Sequence, residues 1–328
     1  MKPYDPFDLK FSSREVTAWG GLALLKRMLD GMDFRSGVQS WQLPPPRSNR
    51  GYRPEQLIEQ MIVSIWCGAA RFAQADITRL DATLVRLFDW GKAAGHKAIV
   101  RLFQRFDQGD SSRVQSSSFR WLFDKLHLNA ITLDVDSTVL TRWGTQIEGG
   151  AKGYNPKHHG RASHHPLLAF VADWRLIANF WLRPGNTSAS NNALSFLQVT
   201  LNNLGATKVG LFRADRENRI KELKADFGLG SFVLRDFWAT EAALGVTMLA
   251  YNLMSVFRHA VMRQSVYHTL STLHHKVLAV GAFWDSNPGK SEKQTFRLAV
   301  ARKRRPWFEG LWANAGEPVS LVTNLKKS

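Results

Sequence analysis

The sequence is short of cysteine, of acidic residues and of long apolar runs. A single cysteine, Cys67, occurs in 328 residues. That excludes an intrachain disulfide and fits a reducing compartment. The most apolar stretches, such as residues 242–256, carry Thr, Tyr and Asn and fall short of a bilayer span. The opening residues, MKPYDPFDLKFSSRE, lack the apolar segment of a secretory signal, so none is expected. No Walker-type Gly-x4-Gly-Lys-Ser/Thr phosphate loop is present, which argues against use of ATP. Carboxylates are scarce: 27 Asp and Glu stand against 44 Lys and Arg, a formal net charge of +17.

What is present points to a folded, polyanion-binding protein. Hydrophobic residues make up 44% of the chain and there are 12 Trp, which excludes a disordered class. The length allows a sizeable core and more than one domain. The cationic excess, with Arg and Trp together, favours nucleic acid through phosphate contacts and counterion release. An anionic membrane surface fits less well, because no strongly basic amphipathic helix stands out.

The periodicity changes once along the chain. Residues 14–128 read as helical, with helices over 14–32, from Pro54 through 56–68, and over 77–90, 98–106 and 116–126. A breaker-rich loop, 43–52, interrupts them. From Ile131 the pattern alternates, placing Leu133 and Val135 on one face and Asp134 and Asp136 on the other. Strands over 167–174 and 177–182, a helix over 191–204 and a strand over 208–213 follow. This order predicts an antiparallel meander of three strands, then a crossover to a fourth strand parallel to the first. Helices over 216–227 and 240–262 come next, the second with Thr240 and Glu241 as its start signal. Strands over 277–283 and 296–301 are expected near the end.

The chemistry is expected at two strand ends. Asp136 closes the first strand and Asp215 the fourth, so parallel neighbours would bring both to one carboxyl edge. Two-metal phosphoryl transfer needs such carboxylates close together. Asp134 shares the face of Asp136 and is the alternative ligand. Equally, aspartates at strand ends begin turns and cap helices. Glu217 opens the next helix, where Lys221 and Lys224 would form a salt-bridged solvent face and Ile220, Leu223 and Phe227 a buried stripe. Arg213, Arg219, Lys221 and Lys224 are candidate phosphate ligands, as is the cluster Arg302, Lys303, Arg304 and Arg305. His158, His159, His164 and His165 match no zinc-finger spacing and have no paired cysteine. Cys67 sits in an apolar helical setting and reads as core. Trp143, Trp181 and Trp307 are candidates for base stacking, with core packing the default for Trp181.

Several motifs together resemble bacterial insertion-sequence transposases of the DDE type. They are SNRGY (48–52), WCGA (66–69), LDVDST (133–138), KGYNP (152–156), SHHPLLAF (163–170) and WLRPGN (181–186), with ATEAAL, LAYNLM and RRPWFEGLW later. The resemblance implies a mixed α/β fold, a ribonuclease H-like core preceded by a helical region. Residues 1–128 would be the helical DNA-binding region, 129–262 the catalytic core and 263–328 a basic C-terminal extension. It assigns the first catalytic aspartate to Asp136. Arg213, Glu217 and Lys224 match the family's Tyr-x2-Arg-x3-Glu-x6-Lys signature, with Gly210 where the family has tyrosine. In similar proteins the second aspartate ends a strand like GLFRAD, and the glutamate signature, with its own Arg-Ala-Asp, lies far downstream. Here one Arg213-Ala214-Asp215 serves as both, which implies an internal deletion and an incomplete core. The expected metal ligands and catalytic residues are Asp136, Asp215 and Glu217, with Mg²⁺ or Mn²⁺. The expected partners are double-stranded DNA, at terminal inverted repeats and target sites, and a second copy in a homodimer; the expected location is the bacterial cytoplasm at the nucleoid. The competing expectation is a transposase-derived protein that binds DNA without cutting it.

Overall fold

The computed structural model describes residues 8–48, 51–188, 191–213, 219–285 and 294–319. Before the first strand the chain forms α1 (Leu22–Gly31), α2 (Phe34–Ser40), α3 (Pro54–Trp66), α4 (Asp76–Arg79), α5 (Ala82–Leu87), α6 (His96–Phe103) and α7 (Gln108–Leu126). Pro54 opens α3, where its missing N–H would be unpaired in any case. Asp107 caps α7 by accepting the Asp110 N–H at 2.7 Å, nine residues before the predicted start of that helix. Val114, Ser118, Phe119, Leu122 and Leu126 repeat at helical spacing and are buried along α7.

Two helical expectations need correction. Residues 14–21 are not helical, because Thr17 and Trp19 pair instead with residues near Ala282. The single helix expected over 77–90 is two short ones, because Asp81 accepts the Leu84 N–H and starts α5 afresh.

The sheet follows the predicted meander and crossover. Its strands are β1 (Ile131–Ser137), β2 (Leu140–Thr141), β3 (Ala151–Lys152), β4 (Ala162–His164), β5 (Leu167–Val171) and β6 (Leu176–Trp181); α8 (Ala193–Leu204) then leads to β7 (Val209–Arg213). The main sheet has the order β6-β5-β1-β7. β1 is antiparallel to β5, with Asp136 opposite Leu168, and parallel to β7, with Asp134 level with Arg213. β2, β4 and β3 form a second, small sheet within the stretch read as a loop.

α9 (Arg219–Ala225) and α10 (Phe237–Val256) follow, and α10 continues as a π turn over Phe257–Met262. α10 is buried on nearly every side, as its sequence without charge beyond Glu241 implies. It starts before Thr240, whose hydroxyl instead bridges the N–H and C=O of Leu234 at 3.0 Å each. The indole N–H of the fully buried Trp66 donates to the Ala250 carbonyl at 3.1 Å, locking α3 onto α10. Burial of side chains of this size contributes about 1.5–3 kcal/mol each.

The chain then forms α11 (Leu270–Leu273), a π turn over His274–Leu278, a hairpin of β8 (Ala282–Trp284) and β9 (Phe296–Leu298), and α12 (Arg305–Ala315). The strand expected from Val277 therefore begins only at Ala282. Ala282 exchanges both backbone hydrogen bonds with Thr17 at 2.9 Å, and Gly20 N–H reaches the Val280 carbonyl at 2.7 Å. A Cβ on Gly21 would lie 1.9 Å from the Val277 carbonyl oxygen, so this approach requires glycine. α12 packs on α1, with the Arg27 guanidinium over the Trp312 ring. One contiguous hydrophobic core runs from Leu22 to Ala315. No helix of the described residues is long and apolar enough to cross a membrane.

Candidate active site

The carboxyl end of β1 gathers a carboxylate and an ammonium. Asp136 accepts the Ser137 N–H on Oδ1 at 2.7 Å. Just beyond it, the Lys224 ammonium, from α9, donates to Thr138 Oγ1 at 2.6 Å and to the Val139 carbonyl at 3.1 Å. Partial burial, and then the Lys157 charge, lower the Lys224 pKa from the usual lysine value; Asp136 opposes them. The salt-bridged solvent face expected of Lys224 is thus replaced by a tether across to β1. Lys221, three residues earlier, is exposed.

Asp134 has a different role from its neighbour. Its side chain is 5% exposed and is gripped by Arg213, with Nε to Oδ1 at 2.8 Å and the second nitrogen to Oδ2 at 2.9 Å. A buried carboxylate needs such a charge-assisted pair. Asp134 is thus engaged as an ion-pair partner, and Arg213, expected at a phosphate, joins β7 to β1 through its fork.

Ile220 and Leu223 of α9, and Phe227 just past its end, are buried as predicted. Glu222 of α9 was not singled out in the sequence. It accepts from Arg258 at 2.7 Å, from the Leu270 N–H at 3.1 Å and from the Tyr267 hydroxyl. The signal was Arg258, a lone charge in the apolar stretch after Ala242, which required a buried partner.

The small sheet stands beside the β1 end. Arg142 Nε–H donates to His164 Nδ1 at 2.7 Å, so His164 Nε2 carries the proton and donates to the Glu148 carbonyl at 2.9 Å. Burial, with the Arg142 charge second, lowers the His164 pKa to about 4. This imidazole is neutral and structural. On the surface of the same unit, Trp143 meets His158 edge-on and carries Arg161 over its face. Trp181 packs edge-on against Phe196 and lines a cleft of about 780 Å³ with Trp238 and Glu241. Glu241 accepts from Ser111 Oγ at 2.7 Å and from the Leu182 N–H at 3.0 Å, and burial raises its pKa to about 7. Cys67 is buried, and burial pushes its thiol up, which leaves no reactive thiolate.

Of the predicted site residues, the structure brings Asp136 and Lys224 together and pairs Asp134 with Arg213. Asp215 and Glu217 lie outside the described residues, and Arg219 is described only in its backbone. Arg302, Lys303, Arg304 and Arg305 lie elsewhere, at the start of α12: Arg304 donates to the Lys276 carbonyl and covers Trp307 and Phe308, while the other three are exposed. Among the described residues no three His, Cys, Asp or Glu side chains are grouped to hold a metal ion.

Two comparisons bear on this arrangement. No curated protein matches the sequence. The family model described as "Transposase DDE domain group 1" matches residues 2–211, a span that takes in the helical layer, Asp136 and all of the main sheet to the middle of β7. With well over half of its length matched, the chain belongs to the DDE-domain transposase family.

Proposed function

We propose that this protein is the DNA transposase of a bacterial insertion sequence, and that an internal deletion next to Asp215 impairs its cutting and strand transfer. The observation that carries the second part is the outer edge of β7. Leu211 and Phe212 are 53% and 50% exposed there, and no further strand covers them among the described residues. The family match also stops at residue 211, just before Arg213-Ala214-Asp215. Both facts support a junction at which the rest of the sheet has been removed.

Asp136, Asp215 and Glu217 would hold the metal. An all-carboxylate donor set suits a hard cation such as Mg²⁺ or Mn²⁺, and Asp136, the member described, stands at a strand end rather than in the core. When bound, such an ion would polarise a phosphoryl oxygen and make water or a 3′-hydroxyl a better nucleophile. The chain's own groups set the field around it. Arg213 neutralises Asp134, so Asp136 does not face a second bare carboxylate on its own strand. The two-residue step from Asp134 to Asp136 recurs between Arg213 and Asp215. Lys224 supplies a positive charge at the same edge, suited to a phosphate. The cationic excess, the exposed Arg302, Lys303 and Arg305 and the exposed Trp143 support binding of double-stranded DNA at element ends and target sites. A homodimer and a cytoplasmic, nucleoid-associated location are part of this reading.

The test is a cleavage assay on a plasmid carrying the gene with its flanking DNA, in Mg²⁺ or Mn²⁺. Binding without cutting is the expected outcome for this copy, whose ultimate form is a transposase-derived DNA-binding protein. Clean cutting at the element ends that Asp136→Ala abolishes would overturn the impairment and leave an active transposase.

A further inference from the structure

The helical layer contains an open pocket of about 350 Å³ between residues 46–48 and 51–52 on one side and α6 on the other. Its rim carries Arg47, Arg101 and Arg105; Leu57 and Ala98 form an apolar floor, and Tyr52 closes one side. No carboxylate among the described residues lines it. None of the three guanidiniums takes part in an ion pair among the described residues; Arg47 and Arg101 are exposed and Arg105 is half-buried. Arg101 lies in the last turn of α6, and Arg105 one turn further on. Arg105 Nε donates to the Arg101 carbonyl at 3.0 Å and Nη1 to the Pro45 carbonyl at 2.5 Å. These two bonds fix its fork between helix and loop. Tyr52 is held in turn by the Ala93 carbonyl, which its hydroxyl reaches at 3.3 Å.

Three guanidiniums around one hollow, two of them exposed, favour an anion there. Burial, and then the Arg47 charge, already lower the Arg105 pKa. Guanidinium forks match a phosphate's oxygens. The apolar floor is the wrong surface for a free hydrated ion and a fitting one for the carbon face of a deoxyribose.

We propose that Arg47, Arg101 and Arg105 form a seat for one backbone phosphate of double-stranded DNA, with its sugar against Leu57 and Ala98. The seat lies in the helical layer and not in the sheet, so it anchors the duplex away from the catalytic carboxylates. It carries no sequence information, since phosphate contacts position and base contacts specify. The proposal rests on the reading of this chain as a DNA-binding transposase, and its test separates the two.

The measurement is fluorescence anisotropy of the full chain with a short random-sequence duplex, over salt from about 50 to 200 mM. R47Q/R101Q is the main variant, because neither side chain makes a hydrogen bond within the described fold. The slope of log affinity against log salt should fall in magnitude by about 1, with affinity down roughly three- to tenfold. R71Q/K208Q removes the same charge from exposed positions elsewhere and should leave the slope unchanged. R47K/R101K keeps the charges and should keep the slope, which guards against an effect of misfolding in the Gln variant. An unchanged slope in R47Q/R101Q, or an equal drop in R71Q/K208Q, overturns the phosphate seat while leaving DNA binding intact. Failure of the unaltered chain to bind any duplex overturns the DNA reading itself.

Discussion

The two edges of the main sheet have been treated very differently. At the β6 edge, helices supply side chains that complete the strand's hydrogen bonds. Asn252 of α10 accepts the Ile177 N–H at 2.7 Å and donates to the Ile177 carbonyl at 2.8 Å. Asn203 of α8 donates to the Ala178 carbonyl at 3.0 Å, and Glu241 accepts from Leu182 N–H at 3.0 Å. Every residue of β6 up to Phe180 is buried. At the β7 edge no side chain among the described residues meets the backbone of residues 209–212, and the middle of the strand is exposed. An open edge with apolar side chains invites pairing with other chains and is normally covered or charged. One edge is completed by side chains from helices; the other has no such cover among the described residues.

The sharpest way to break this comparison is at Asn252. Asn252→Leu leaves both polar groups of Ile177 buried and unpaired, and should cost roughly 2–5 kcal/mol, read as a fall in the urea midpoint. A loss below about 1 kcal/mol would mean that the β6 edge is not held by this residue. Next comes Glu241, whose folded pKa of about 7 lies above the ordinary 4.5. The unfolded chain loses this proton first, so stability falls as pH rises through the window between those values. Glu241→Gln should flatten that part of the stability–pH curve and add on the order of 2–3 kcal/mol near pH 8, checked by thermal melts across pH. The smallest effect is expected at the bare edge. Leu211→Ser with Phe212→Ser should change stability by less than about 1 kcal/mol and reduce self-association in light scattering. A loss comparable to that of Asn252→Leu would show that something covers β7 after all.

The sheet topology was legible because it depends on local patterns. Alternation over 131–137, two apolar strands with a short turn, and one helix before the next strand leave few ways to connect them. The start of the fold was not legible. Residues 16–19 fit a helical apolar spacing, yet they pair with a segment beyond residue 277, and non-local pairing overrides local propensity. The place of Asp136 followed from strand position alone. The distinction between Asp134 and Asp136 did not, since alternation puts both on one face and only the register of β7 brings Arg213 level with the first. Lys224 read as a solvated helix charge because its acceptors, Thr138 and Val139, are more than eighty residues earlier in the chain. Glu222 and Glu241 were hidden for the same reason: each is satisfied by donors from distant elements.

The pairing of Thr17 and Gly20 with Ala282 and Val280 has a consequence for biosynthesis. The segment at residues 17–20 is completed by residues made some 260 positions later. As the chain leaves the ribosome, the α1 segment must wait while some 260 residues follow it, its apolar face lacking the partners that α12 and the β8 hairpin later provide. Closure of that clasp is therefore a late event, and a polypeptide interrupted before residue 282 has no means of making it.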